Sequence, residues 1–474
     1  MTFKKPYLYD RVFLYLNITC YFFKMKINLS KISRIILFCF AAFWGTKSLA
    51  ITIPKGVAIR DAEIEKHLKE YMDPIFSVAG LNPKDARIIL VNENTVNAAA
   101  LPNSTMILFA GFIKATTSVE QVIGVIAHEV GHIAGRHHVR GYAAMEKAQK
   151  SGMMMGLLGI TLGILSGRLD VGLATAMGSM STSIHSFLHY HRGEESAADM
   201  AATKYLEKLG WTSIGLMEFL ETLQGQELLN STQQDPYLRT HPLTRDRIES
   251  IRRKVDKYKI PNGALPKEFY EGYKIIYMKI EAFLFPVHKA AYKYKGNTTI
   301  DKYAQAILAY REAYYDKAIS LVDCLILQDP TNPFYYELKG QILFESGQVL
   351  ASILPYEKAV NFMPDSPLLR IGLSQSFLRQ DKKDYTNKAI THLRQALKLE
   401  KDNVTAWHLL AIALGKQGNM AEMSLALAEE SAYKGDWSMA LEQAKRALWH
   451  LKKIGKTSVR ANDIKLQAEE NLRD

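Results

Sequence analysis

Cysteine is scarce, with three in 474 residues. Cys20 and Cys39 fall in an N-terminal stretch that reads as removable, which leaves Cys324 without a partner in the mature chain. An intramolecular disulfide and a cysteine-held zinc site are both excluded there. Long apolar runs are missing too. The run from Ile35 to Trp44 is short for a full span, and the stretch 152–180 is broken by Arg168 and Asp170 into halves too short to cross a bilayer. A concentrated excess of charge is also absent. The formal net charge is +12, but residues 1–50 hold eight Lys/Arg against Asp10 alone, so +7 of it lies there. The rest is spread over more than 400 residues, too dilute to imply a nucleic-acid partner.

Those first fifty residues read as an export address. Met25-Lys26 to Arg34 is a basic start, Ile35 to Trp44 an apolar core, and Ser48-Leu49-Ala50 a small-residue cleavage site. The expected signal peptide starts at Met25 and is cleaved after Ala50, with residues 1–24 an over-long start. An uncleaved membrane anchor is the alternative. The remaining length suits two or three domains with a substantial core.

What is present is a chemical motif. Residues 128–132 read His-Glu-Val-Gly-His within a run of helical periodicity. Ser118, with Gln121 three residues on, predicts a capping box at its start. Val122, Ile123, Val125, Ile126, Val130 and Ile133 make the helix apolar almost all round, which suits a domain core. Residues four apart share a helix face, so His128 and His132 can offer two imidazoles to one metal while Glu129 reaches a metal-bound water. A merely hydrogen-bonded pair of core histidines would leave Glu129 without a purpose.

Two continuations offer a third ligand. His128, Glu129, His132, Gly135 and His138 fit HExxHxxGxxH, the metzincin spacing. Alternatively, a second helix at Gly193-Glu194-Glu195-Ser196-Ala197-Ala198-Asp199 is rich in small residues and able to pack closely on the first. Glu195 and Asp199 are again four apart, a candidate ligand and a carboxylate to orient a ligand histidine.

The HEVGH motif, followed by Arg136-His137 and then by Glu195-x-x-Ala198-Asp199, resembles the HtpX-like and CAAX-prenyl-protease type of zinc metallopeptidase. In that family the glutamate of ExxxD is the third ligand, which implies Glu195 over His138 and one zinc ion (Zn2+) per chain. Asn97-Ala98-Ala99-Ala100-Leu101-Pro102 resembles the family segment that precedes a substrate-side edge strand. Strands are expected at 86–91 and 105–109, with 101–104 turning between them. Arg239-Thr240-His241-Pro242 is similar to a segment of the periplasmic beta-barrel assembly-enhancing proteases, where the histidine acts near the zinc as a switch. That resemblance implies His241 as a fourth ligand or an oxyanion donor, on a loop at the mouth of a helix that Pro242 starts. Glu129 is then the general base, and Asp199 supports a ligand histidine.

Between the two motif helices, residues 152–183 are apolar and rich in Gly and Met. They are expected to form a hydrophobic lid or substrate-facing loop, with a peripheral membrane contact as the alternative. From Tyr303 the chain becomes repetitive. Pro330 and Pro364 are 34 residues apart, as are Pro333 and Pro367, and Gly340, Tyr356, Ala359 and Pro364 fall at tetratricopeptide positions. Further units are expected around Ala389 and Ala396, and at Gly435-Asp436-Trp437 with Ala440 and Ala447.

The expected fold is an α+β zincin domain over 51–262, a helical linker over 263–302 and an all-α tetratricopeptide-repeat solenoid over 303–474. The expected function is a periplasmic zinc metalloendopeptidase acting on unfolded or misassembled envelope proteins. Its repeat groove would dock the outer-membrane assembly machinery. The rival is a non-proteolytic chaperone or scaffold with a structural zinc, against which an intact Glu129 argues.

Overall fold

The computed structural model describes residues 56–101, 104–137, 192–224, 236–258 and 265–473. The expected signal peptide, His138 and the segment 152–183 lie outside them. Among the described residues no helix is long and apolar enough to cross a membrane.

Among the described residues four strands make one sheet: β1 (Ala58–Ile59), β2 (Arg87–Val91), β3 (Ala98–Leu101) and β4 (Thr105–Phe109), in the order β1-β2-β4-β3. β2 and β4 run parallel, with Arg87 opposite Thr105, and β3 lies antiparallel to β4 with Ala98 opposite Leu108. The turn after Leu101 therefore joins β3 to β4, not the two strands expected from the sequence. A tight turn cannot connect a parallel pair. Ser104 ends that turn in the left-handed region, at φ 57°. Alanine is depleted in strands generally, which hides β3 from propensity. Here its small side chains suit a close neighbour: Ala98 and Ala100 face the main core, while Ala99 and Leu101 pack with Ile107 on the other side.

Three helices follow the sheet residues in sequence or flank them: α1 (Ala62–Val78), α2 (Ala110–Ala115) and α3 (Val119–Gly135). α3 carries the HEVGH motif and is buried from Val119 to Ile133 apart from Glu120. Ser118 Oγ accepts from the Gln121 N–H at 3.4 Å, as expected of an N-cap. The Gln121 side chain reaches past it, however, to accept from the Thr117 N–H at 3.0 Å, so the reciprocal half of the capping box is displaced by one residue.

Two further helices press on α3 at glycines. α4 (Arg192–Lys208) crosses it where a Cβ on Gly131 would lie 2.8 Å from the Ala198 carbonyl oxygen. α5 (Ile214–Thr222) meets it where a Cβ on Gly124 would lie 2.5 Å from the Leu216 nitrogen. The short α6 (Pro236–Thr240) and the charged α7 (Arg245–Tyr258) complete this part of the chain.

The stretch expected as a linker forms α8 (Lys267–Leu284) and α9 (Val287–Lys293). α8 belongs to two cores at once: Phe269, Ile276 and Ile280 pack with the sheet and α3, while Met278 and Ala282 pack with Tyr303 and Tyr310. The helical array continues through α10 (Thr299–Arg311), α11 (Tyr315–Gln328), α12 (Pro333–Glu345), α13 (Val349–Phe362) and α14 (Pro367–Leu378). It ends with α15 (Lys383–Leu399), α16 (Val404–Gln417), α17 (Met420–Tyr433), α18 (Trp437–Lys453) and α19 (Val459–Asn471). Tyr356 of α13 fills the space left by Gly340 of α12 and Gly372 of α14, since a Cβ on either would fall 2.7 Å from its ring. This is a tetratricopeptide-like stack of helix pairs. The array packs back on the first domain. Ala62 joins the repeat core, Arg60 pairs with Glu400 at 3.0 Å, and Arg87 pairs with Asp402.

Candidate metal centre

His128 and His132 project from one face of α3, and their Nε2 atoms lie 3.1 Å apart. Glu195, in the first turn of α4, brings Oε1 to 3.2 Å from His132 Nε2 and Oε2 to 3.5 Å from His128 Nε2. His241 follows α6 and places Nδ1 3.1 Å from Glu195 Oε1 and 3.4 Å from His128 Nε2. All four side chains are fully buried. They make the one such cluster among the described residues that could hold a metal ion. Tetrahedral donors around zinc, each about 2.0–2.1 Å from the ion, stand roughly 3.3–3.4 Å from one another. The separations among the histidine nitrogens and the nearer Glu195 oxygen in each pair, 3.1–3.5 Å, lie within a few tenths of an ångström of that value. Imidazole nitrogens and a carboxylate converging this closely in a dry core suit a shared cation, and the donor set fits zinc.

The orientation of these groups is set from behind. His128 Nδ1 lies 2.9 Å from Asp199 Oδ1, which keeps the ring proton on that side and leaves the Nε2 lone pair facing the centre. Asp199 accepts from Arg247 Nε at 2.6 Å and Nη2 at 2.9 Å. Burial alone would push the Asp199 carboxyl up; the guanidinium overrides it, and the group sits at about 2. Burial likewise opposes an ionised Glu195, yet His241 and Arg247 hold it well below the usual carboxylate range. His132 Nδ1 meets another imidazole instead of a carboxylate, His137 Nδ1 at 2.8 Å.

Glu129 stands apart. It is fully buried, the Ala100 backbone N–H donates to it, and His241 Nε2 lies 3.5 Å from Oε1. Burial pushes its carboxyl above the usual range against the pull of His241 and His128. A buried carboxylate with raised proton affinity beside a metal position is how a general base is arranged.

The structure thus brings together His128, Glu129, His132, Glu195, Asp199 and His241. Two details differ from the sequence reading. His241 is sealed inside the centre, not at a loop mouth, with Nε2 3.2 Å from the Ala98 carbonyl oxygen. Pro242 does not start α7; the Thr244 hydroxyl caps it by accepting from the Arg247 N–H at 3.4 Å, while the Pro242 carbonyl accepts from Arg247 Nη1 at 2.9 Å. Sequence reasoning quotes His137 only as part of the motif and gives no role to it, to Tyr237 or to Arg247. Arg247 carried a legible signal, because it lies four residues before Ile251 on the buried face of an otherwise charged helix. Tyr237, whose ring stacks on His241 at 4.5 Å, carried none.

A small α+β domain that gathers two histidines and a glutamate from crossing helices around one point, with a second buried carboxylate beside them, is that of a metallopeptidase. Residues 59–255 match the model of Peptidase family M48, and the chain carries an M48 metallopeptidase domain over that stretch. It is similar to the "Beta-barrel assembly-enhancing protease" of Yersinia pestis, 26% identical over 360 residues that cover 74% of this chain and 72% of that one. The Escherichia coli K12 protein of the same name is 24% identical over 364 residues, with 74% and 72% covered. The human "Metalloendopeptidase OMA1, mitochondrial" is 27% identical over 192 residues, 38% of this chain and 34% of its own length.

Proposed function

We propose that this chain is a zinc-dependent endopeptidase of the bacterial periplasm that hydrolyses misfolded or misassembled outer-membrane proteins and supports their assembly. The observation that carries the reading is the set of four buried donor residues converging within 4.8 Å of one another, with the Glu129 carboxylate buried beside them. His128, His132 and Glu195 would hold one zinc ion, and His241 would fill its fourth position. When bound, zinc would polarise the scissile carbonyl and lower the pKa of a water that takes the place of His241 once that imidazole is displaced. Glu129 then takes the water's proton and passes it to the leaving amine, while Asp199 keeps His128 oriented. β3 is the last strand of the sheet, so an extended substrate can add along it by main-chain pairing. The Ala98 carbonyl it would use is held by His241, so substrate pairing and displacement of His241 go together. The similarity to assembly-enhancing proteases supports the substrate class, and the signal pattern from Met25 to Ala50 supports export. The helical array would dock unfinished barrels or their assembly machinery.

A closed four-donor centre also suits a structural zinc in a non-proteolytic chaperone. Glu129 separates the two readings, because a structural site has no use for a base. Wild-type protein and Glu129→Gln should both bind about one zinc per chain. Hydrolysis of an unfolded outer-membrane protein should fall by roughly 100- to 10,000-fold in the variant. Equal hydrolysis by the two would leave the chaperone reading standing.

A further inference from the structure

We infer that Arg247 is a positioning residue that seats the metal-holding glutamate, the carboxylate behind His128 and the turn bearing His241 as one unit; the inference rests on the reading of the centre above. Arg247 is 2% exposed, and each of its three guanidinium nitrogens is engaged. Nε and Nη2 form a two-pronged pair with Asp199. Nη1 lies 2.6 Å from Glu195 Oε2 and also donates to the Pro242 carbonyl.

The shared Nη1 is the informative feature. Pro242 follows His241 directly, so one nitrogen grips both a metal-holding carboxylate and the backbone that carries the closing imidazole. On its other side, His241 is tied to β3 through the Ala98 carbonyl. The turn is therefore clamped at two points, one to the edge strand and one to the centre. A displacement of Glu195 would be felt at His241, and a displacement of the turn would be felt at Glu195.

Charge supports the same role. Glu129, Glu195 and Asp199 place three carboxylates in a dry pocket, and among the described residues Arg247 is the Lys or Arg that pairs with two of them. With a divalent ion in place, three positive charges meet three negative ones. Lysine supplies one positive charge but not the planar fork, so it cannot reach Asp199, Glu195 and the Pro242 carbonyl from one position.

The test is a double-mutant cycle on the full chain. Zinc affinity is measured by chelator competition for wild type, Arg247→Lys, His241→Ala and the double variant, and cobalt(II) absorption spectra are recorded for each. Arg247→Lys should weaken zinc binding by roughly 10- to 100-fold. Once Arg247 is changed, removing His241 should cost nothing further, and the cobalt spectrum of Arg247→Lys should already match that of His241→Ala. A residue that merely supports the fold would lower the melting temperature of the metal-free protein and give additive losses of affinity. Additive losses, or wild-type affinity in Arg247→Lys, would overturn the inference. Should the lysine variant not fold, Arg247→Gln combined with Asp199→Asn removes the charge together with its partner, and the same non-additivity with His241→Ala is expected. Wild-type protein that binds neither zinc nor cobalt would instead overturn the reading of the centre itself.

Discussion

Tyr237 carries a fully buried hydroxyl without a hydrogen-bond partner, while its ring stacks on His241. Burial pushes the phenol well above its ordinary range, so it remains a neutral hydroxyl at every working pH. Leaving such a group unsatisfied costs about 1–3 kcal/mol. Tyr237→Phe keeps the stacked ring and removes the cost. The metal-free variant should therefore be as stable as wild type or about 1 kcal/mol more stable in denaturant unfolding. A clear loss of stability would show that the hydroxyl is satisfied in the native protein.

Elements bring those residues within reach of one another, and the crossing of α3 and α4 matters most. It occurs at Gly131 and Ala198, one residue from His132 on α3 and one from Asp199 on α4, and three from Glu195. The glycine inside the HEVGH motif is thus a packing requirement. Gly131→Ala would drive a methyl into the backbone of α4, which cannot give way as a flexible side chain would. The expected outcome is a loss of roughly 1–3 kcal/mol in stability. Zinc affinity should fall as well, because Glu195 moves with α4. Calorimetry and chelator competition measure the two effects separately. A variant that is destabilised but keeps full zinc affinity would show that α4 can shift without carrying Glu195 away.

At the scale of the whole molecule, the seam between the peptidase domain and the repeats holds a cluster of buried charge beside its apolar contacts. Lys279 of α8 holds Asp61 at 2.7 Å and Glu63 at 3.0 Å, and the Tyr303 hydroxyl donates to Glu63 at 2.7 Å. Glu337 of α12 adds a further carboxyl to this cluster. Burial raises it first, Asp61, Glu63 and Glu65 add to the shift, Lys279 opposes it, and the group sits at about 8. A raised carboxyl contributes stability that is fully present below its unfolded pKa, near 4.5, and is lost as pH rises through about 8. Wild-type protein should therefore lose stability between pH 5 and pH 9, and Glu337→Gln should flatten that loss. Thermal unfolding across the range checks it; parallel pH slopes for the two proteins would assign the dependence to another group.

Much of the centre was legible beforehand because it is local. The spacing of His128, Glu129 and His132 is a property of one helix, as is that of Glu195 and Asp199, and backbone geometry alone sets which face each occupies. Proline spacing likewise marked α12 and α14. The pair α16 and α17 escaped that signal because an asparagine, Asn403, caps α16 with no proline beside it. Tertiary structure decided what lies between elements: that β3 is the edge strand, that α8 serves two cores, that His241 is sealed inside, and that Arg247 joins Asp199, Glu195 and Pro242. Local spacing follows from a single backbone conformation. The destination of a buried polar side chain depends on which partners, distant in sequence, can satisfy it once the helices have packed.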